Sequence, residues 1–218
     1  MPAFTLHAFW HWFTRLGEAQ ILLPLALAAI LWLALAAGEH VLARRWLGWL
    51  GFAVALTTAT KLAFIGWGVG VAALNFTGIS GHSMFAAAVL PVLAWVVLRG
   101  HAPRSQTLGV LMAYGAAALI AYSRVEVSAH SFSEALLGFV LGAWASGMVL
   151  RRAPALNRRP PLWLPVSVAL ALAISPGGAP PSRSHDAVTR LALKLSGHAR
   201  AFTRADLLAR PVPADWAD

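Results

Sequence analysis

Apolar residues run along this chain in long stretches separated by short polar connections. The stretches fall at about residues 19–37, 46–70, 83–98, 107–122, 134–150 and 162–175. Runs of this kind read as membrane-spanning helices. Several are shorter than the roughly 20 residues that a span needs, so their helices are expected to extend into the flanking loops. The predicted fold is all-α and integral to the membrane, a six-transmembrane-helix bundle over residues 19–175. Residues 4–15 ahead of it are aromatic and mildly amphipathic, with Trp10 and Trp12 suited to the headgroup level. They predict an interfacial helix within residues 1–18. Beyond the bundle, Ser175-Pro176-Gly177-Gly178-Ala179-Pro180-Pro181 reads as a linker into an extramembrane tail, residues 176–218. Within the tail, residues 185–196 predict a short amphipathic helix with Val188, Leu191, Ala192 and Leu195 on one face, ended by Gly197 at C′.

Composition agrees with this pattern. The chain is 59% hydrophobic and 11% charged, where a soluble domain carries roughly 25% charged residues. Its formal charge of +9 comes from 17 Lys+Arg against 8 Asp+Glu. The arginines sit in short loops between apolar runs, which fits the positive-inside rule rather than a nucleic-acid patch. Arg44-Arg45, Arg99 with Arg104, and Arg151-Arg152 with Arg158-Arg159 occupy alternate connections, which are therefore expected in the cytoplasm. Residues 71–82, residues 123–133, the N-terminus and the tail then share the opposite face. With no cysteine there is no disulfide and no thiolate metal site. The first fifteen residues lack a basic n-region, so no cleavable signal peptide is expected.

The candidate chemistry gathers on that opposite face. Ionisable groups beside a bilayer are costly and tend to be functional. Ser123-Arg124 is followed after five residues by His130 and after three more by Glu134. A histidine attacks phosphorus when its attacking nitrogen is unprotonated, which requires a partner on the other ring nitrogen. Glu134, one helical turn on, is placed to be that partner. Arg124 offers a bidentate fork for phosphate oxygens. Ile79-Ser80-Gly81-His82 precedes an apolar helix, so its backbone N–H groups can face an anion, and His82 can protonate a leaving oxygen. Lys61, inside an apolar segment, needs an anion that a substrate phosphate would supply. Each has a plain structural reading alone: His82 a helix cap, Glu134 a helix-dipole partner, Lys61 and Arg124 snorkelling cations. Their complementary roles on one face favour an active site.

Other groups carry less. His7 and His11 lie one turn apart, but two ligands without a carboxylate make a poor metal site. Glu126 is a candidate partner for Arg124. Ser196-Gly197-His198 echoes the Ser80 cluster and reads as a polar helix end. Gly66, Gly68 and Gly70 are spaced for close helix packing, not for nucleotide binding. No metal and no cofactor is expected.

These residues resemble the type 2 phosphatidic acid phosphatase family, lipid phosphate phosphatases related to vanadium haloperoxidases. That family carries three blocks, K-x6-R-P, P-S-G-H and S-R-x5-H-x3-D. The third is matched by Ser123, Arg124, His130 and Glu134, with Glu for Asp. The second is matched by Ile79-Ser80-Gly81-His82, with Ile for Pro. Of the first only Lys61 remains, since Gly68 and Val69 stand where Arg and Pro belong. Asn75 and Thr77, in the same loop, are candidates to replace its hydrogen bonds. The resemblance implies a phosphohistidine mechanism with His130 as nucleophile, Glu134 as its orienting carboxylate and His82 as general acid. It implies phosphate binding by Lys61, Ser80, Gly81 and Arg124. The implied activity is hydrolysis of an amphiphilic lipid phosphate or pyrophosphate at the outer face of a bacterial inner membrane. Polyprenyl pyrophosphate, phosphatidylglycerol phosphate, phosphatidic acid and lipid A phosphates all fit. The alternatives are transfer of the phosphoryl group to a second lipid, or binding and transport of a lipid phosphate without catalysis, which the missing arginine favours. The expected partners are this substrate and membrane lipids, not nucleic acid.

Overall fold

The computed structural model describes residues 6–153, 160–178 and 184–209. Among them the ordered elements are helices. The one backbone pairing of β type in the described residues is an isolated bridge between Val71 and Phe76. In chain order the helices are α1 (Leu6–Thr14), α2 (Ala19–Leu31), α3 (His40–Trp67), α4 (Gly81–Val97), α5 (Pro103–Glu126), α6 (Phe132–Leu150), α7 (Trp163–Gly178), α8 (Ser184–Ser196) and α9 (Arg204–Leu208). A turn of 3-10 helix, Arg15–Gly17, joins α1 to α2, and a wider π turn, Trp32–Ala36, extends α2. Four stretches are long and apolar enough to cross a membrane: Leu6–Ala36, His40–Trp67, Pro103–Glu126 and Phe132–Leu150. Gly81–Val97 and Trp163–Ala173 are shorter apolar helices. The protein is thus an all-helical membrane protein.

Two apolar runs do lengthen into their flanks. The run at 107–122 becomes the 24 residues of α5, where Pro103 sits at the helix start and needs no amide partner. The run at 134–150 gains Phe132 and Ser133, because Ser131 caps α6. The run at 83–98 gains only Gly81 and His82, so α4 has 17 residues and rises about 26 Å. This short helix is the centre of the molecule. Residues 86–93 are buried without a break, and α2, α3, α5 and α6 all pack against it.

Its closest neighbour is α6. A Cβ built on Gly138 would lie 2.5 Å from the Ser80 carbonyl oxygen, and one on Gly142 would lie 2.2 Å from that of Met84. Two glycines one turn apart thus let the α6 backbone rest on the first turn of α4, the small-xxx-small packing of membrane helices. The three glycines near the end of α3 divide their roles. Gly66 packs against α8, with the Ala192 carbonyl 3.2 Å from where its Cβ would be. Gly68, at φ 67°, is the left-handed residue that ends α3. Gly70 lies against the Phe76 carbonyl.

The tail differs from its expected form. Helix α7 continues to Gly178, into the segment read as a linker. Helix α8 does end at Gly197, whose φ is 72° and whose N–H reaches the Leu193 carbonyl at 3.0 Å. Its apolar face is split, however. Val188 and Ala192 pack with Phe64, Ile65 and Leu207 in a small second core. Leu191 and Leu195 are 43% and 58% exposed. The i, i+4 pair turned toward α3 is the buried one; Leu191 lies about 60–100° round the helix from it, and Leu195 lies nearer that face but in the last turn of α8. His198 is a helix-end group: its Nδ1 contacts the Gly66 carbonyl at 2.7 Å.

If α6 and α4 are set by backbone contact, a methyl group at Gly142 has nowhere to go. Gly142→Ala should lower the unfolding temperature in detergent micelles, with a cost of about 1–3 kcal/mol. Gly147→Ala on the same helix, where a Cβ meets nothing within 4 Å, should leave it unchanged.

Candidate active site

The site is built around the start of α6. Ser131 and Glu134 form a capping box: the Ser131 hydroxyl accepts from the Glu134 N–H at 3.4 Å, and Glu134 Oε2 accepts from the Ser131 N–H at 3.1 Å. This turns the Glu134 side chain back along the helix toward His130, whose Nδ1 lies 2.7 Å from Oε2. With the carboxylate on Nδ1, the proton sits there and Nε2 keeps its lone pair. The glutamate in place of aspartate serves the cap and the histidine at once. Its carboxylate is fully buried. Oε1 accepts from the Thr77 N–H at 2.7 Å and from the Thr77 hydroxyl. Thr77 is therefore committed to Glu134 and is not a substitute phosphate ligand.

The spacing from Arg124 to His130 closes a compact turn after α5. Ser128 takes φ 54°, and the N–H groups of Ala129 and His130 both donate to the Arg124 carbonyl, at 3.0 and 3.1 Å. The Arg124 guanidinium donates from Nη1 to the Thr14 hydroxyl at 2.9 Å, while its Nε is buried without a partner. Glu126 lies beside the Tyr122 hydroxyl, and among the described residues it forms no salt bridge with Arg124.

The second cluster meets the first through a backbone bond, Ser80 N–H to the Glu134 carbonyl at 3.1 Å. Ser80 is fully buried and its hydroxyl accepts from Ser83 at 3.1 Å. It lies behind the residues that line the cavity described below. Gly81 and His82 open α4. Lys61 lies beside them: its Nζ is 3.8 Å from where a Gly81 Cβ would be. Its stem is pinned by Gly78, since a Cβ at that glycine would sit 3.0 Å from Lys61 Cγ. An ammonium thus sits at the positive end of a helix, a combination that calls for an anion.

Lys61, Gly81, His82, Arg124 and His130 line one cavity of about 620 Å³. Phe64, Ile65 and Phe85 give it an apolar wall. The remaining wall comes from the tail, which the sequence pattern did not connect to the site. Arg204, at the start of α9, donates from Nη2 to Glu134 Oε2 at 2.7 Å. From Nη1 it donates to the Asn75 carbonyl at 2.8 Å and to the Asn75 side-chain oxygen. Asn75, like Thr77, is occupied inside the scaffold. A local signal for α9 does exist. Thr203 and Asp206 form a capping box, so the chain at 203–206 announces a helix start.

The chain matches the family model for the PAP2 superfamily over residues 70–158. It is also 38% identical over 141 residues to the "Uncharacterized 22.5 kDa protein in cps region" of Klebsiella pneumoniae, an alignment that covers 65% of this chain and 68% of that relative. The chain belongs to the PAP2 superfamily. Members of this superfamily are phosphatases, so its activity class is hydrolysis of phosphate esters. No solved structure matches the chain. The PAP2 match holds the Ser80-Gly81-His82 and Arg124–His130–Glu134 clusters but neither Lys61 nor Arg204. The first-block arginine has no place at Gly68, because a side chain there would take the left-handed backbone that ends α3.

Proposed function

We propose that this PAP2-superfamily protein is a membrane lipid phosphatase working through a phosphohistidine on His130. The observation that carries the reading is the 2.7 Å contact of His130 Nδ1 with Glu134, on the wall of a cavity that also holds Lys61, His82 and Arg124. In the first step His130 Nε2 attacks phosphorus and the bond from phosphorus to the leaving oxygen breaks. That oxygen takes a proton from His82. In the second step water attacks phosphorus, its proton goes to His82, and the P–N bond breaks. Lys61, Arg124 and the Gly81 N–H hold the non-bridging oxygens. The substrate is an amphiphile, because cations and the Phe64, Ile65 and Phe85 side chains line the same cavity. Lipids with a phosphate or pyrophosphate at headgroup level meet this requirement. Among them are polyprenyl pyrophosphate, phosphatidylglycerol phosphate, phosphatidic acid and lipid A. Phosphoryl transfer to a second lipid needs only another acceptor in the second step. The reading as a non-catalytic binder of lipid phosphate rests on the glycine at position 68.

In the bilayer, α4 and α7 complete a bundle of six spans over residues 19–175, with residues 1–18 at the interface and residues 176–218 outside the membrane. The basic connections lie on the cytoplasmic side of a bacterial inner membrane, and the site faces outward. In support, Arg45 donates to the Arg152 carbonyl at 3.0 Å, which brings two of the basic connections together.

Purified protein in detergent should release phosphate from at least one member of a panel of lipid phosphates. His130→Asn should abolish turnover and any acid-labile phosphoenzyme, and His82→Asn should slow it by roughly 10²–10⁴-fold. A His130→Asn enzyme with near-wild-type turnover would refute the mechanism. If wild-type protein binds a lipid phosphate but releases nothing from any, the binder reading stands instead.

The same assay has a signature in pH. Burial holds the His130 imidazole below its ordinary 6.5, against the hydrogen bond it donates to Glu134, which raises it, and with Lys61 lowering it further. The neutral ring is the nucleophile, so activity is present above that pKa and lost as pH falls through it. The acid limb of kcat/KM should therefore lie below pH 6.5. A limb well above that value speaks against His130 as the attacking group.

Orientation is open to a direct check, because the chain has no native cysteine. Ser128→Cys, in the exposed turn after α5, should react with a membrane-impermeant thiol reagent added outside the cell. Reaction only after the cytoplasmic side is opened overturns the outward-facing site.

A further inference from the structure

We propose that Arg204 of the tail is a positioning residue of the phosphate site, fixing the Glu134 carboxylate that orients His130. The site is then complete only when α9 is docked. This rests on the phosphohistidine reading and assigns work to a part of the chain that the PAP2 match, residues 70–158, does not reach.

The geometry is specific. Arg204 Nη2 and His130 Nδ1 each lie 2.7 Å from the same oxygen, Glu134 Oε2. Arg204 also donates from Nη2 to the Thr77 hydroxyl at 3.3 Å and from Nη1 to Asn75. One guanidinium therefore spans the loop after α3 and the carboxylate on α6. Asn75 is a non-glycine residue at φ 50°, and Arg204 binds its carbonyl and its side chain together. The arginine is itself held in place. The Thr203–Asp206 box fixes the first turn of α9. The Phe202 N–H donates to the Ile65 carbonyl at 3.0 Å, and Leu207 is 1% exposed against Phe64 and Ile65. A tail anchored at several points, ending in a charged fork on the buried carboxylate, is built for more than covering a surface.

The consequence for His130 follows from charge. Lys61 on α3, His82 on α4, Arg124 on α5 and Glu134 on α6 face the cavity or its buried wall, together with Glu18 and His185. Among the charged groups described, Arg204 is the one that shares an oxygen with the imidazole. It keeps that oxygen from swinging away from Nδ1. It also draws negative charge toward itself, so less is available to hold a proton on His130. Replacing it should loosen the histidine and make it more basic.

The test uses the full chain in detergent micelles, labelled with 15N-histidine, with the His130 signals assigned by their loss in His130→Asn. Arg204→Gln should raise the His130 titration midpoint by about one pH unit and weaken the Nδ1–H tautomer. Its kcat should fall roughly 10–100-fold with a smaller change in KM. Arg204→Lys, which keeps the charge without the fork, should hold the midpoint and recover part of kcat. A tail of merely structural value would alter folded yield and leave the titration of His130 in place. Folded Arg204→Gln protein with an unmoved midpoint and wild-type kcat overturns the proposal. Should Arg204→Gln fail to fold, Asp206→Ala loosens α9 without touching the pocket. It is expected to move the midpoint the same way by less, and an unmoved midpoint there also overturns the proposal. His130→Asn separates the two levels: turnover without His130 removes the phosphohistidine reading itself. Dead His130→Asn beside unaltered Arg204→Gln removes only the role of the tail.

Discussion

A buried carboxylate is what the rest of this structure is arranged around. Glu134 is fully buried, and an ion in that position is tolerated only when its lone pairs are filled. Here Thr77 fills one oxygen through its N–H and hydroxyl, and the other takes His130, the Ser131 N–H and Arg204. Each donor belongs to a different part of the design. Ser131 starts α6, Thr77 belongs to the loop before α4, His130 carries the proposed chemistry, and Arg204 comes from the tail. Satisfying one charge therefore fixes the start of α6, the loop before α4 and the tail relative to one another. The hydrogen bonds that make burial tolerable are the same ones that set the tautomer of His130.

The second constraint is steric. Gly138 and Gly142 let α6 approach α4 at backbone distance, and the Ser80 N–H bond to the Glu134 carbonyl closes the same contact at its upper end. Gly81 and His82 are thereby held to the helix that carries Glu134 without depending on flexible side chains. Catalytic groups placed on packed helices keep their geometry better than groups on free loops. Gly17 adds to this. A Cβ there would lie 3.0 Å from the His82 carbonyl oxygen, so the break between α1 and α2 presses on the start of α4.

What the sequence reveals and what it conceals divides along contact range. Apolar runs mark the helices because each is a local property of the chain. The His130–Glu134 pair is legible for the same reason, being one helical turn apart. The burial of Ser80 is hidden from its motif, because the motif is local and the approach of α6 decides the burial. Thr77 looks like a spare donor until Glu134 arrives from 57 residues away. Arg204 is the extreme case, 70 residues from its partner, and its capping box announces a helix start but not where that helix docks. The face of α8 fails more gently. Val188, Leu191, Ala192 and Leu195 all fit an amphipathic stripe, and only the position of α3 selects Val188 and Ala192.

Charge balance links the scaffold to the ligand. Both carboxylates nearest the cavity are already engaged: Glu18 with Arg15 at 3.2 Å, and Glu134 with His130 and Arg204. Among the described residues neither Lys61 nor Arg124 forms a salt bridge, and Arg124 Nε is buried with no partner at all. Lys61 stands at the N-terminus of α4 and adds to its positive end. Unpaired cations in a partly apolar cavity repel one another and gain little from water. An incoming dianion relieves both costs, while a neutral or singly charged headgroup relieves less of either. The protein's own carboxylates cannot compete for that place, because the scaffold has already used them. In the proposed mechanism, selectivity for phosphate follows from where the negative charge has been spent: on holding His130 in position rather than on neutralising the cations that face it.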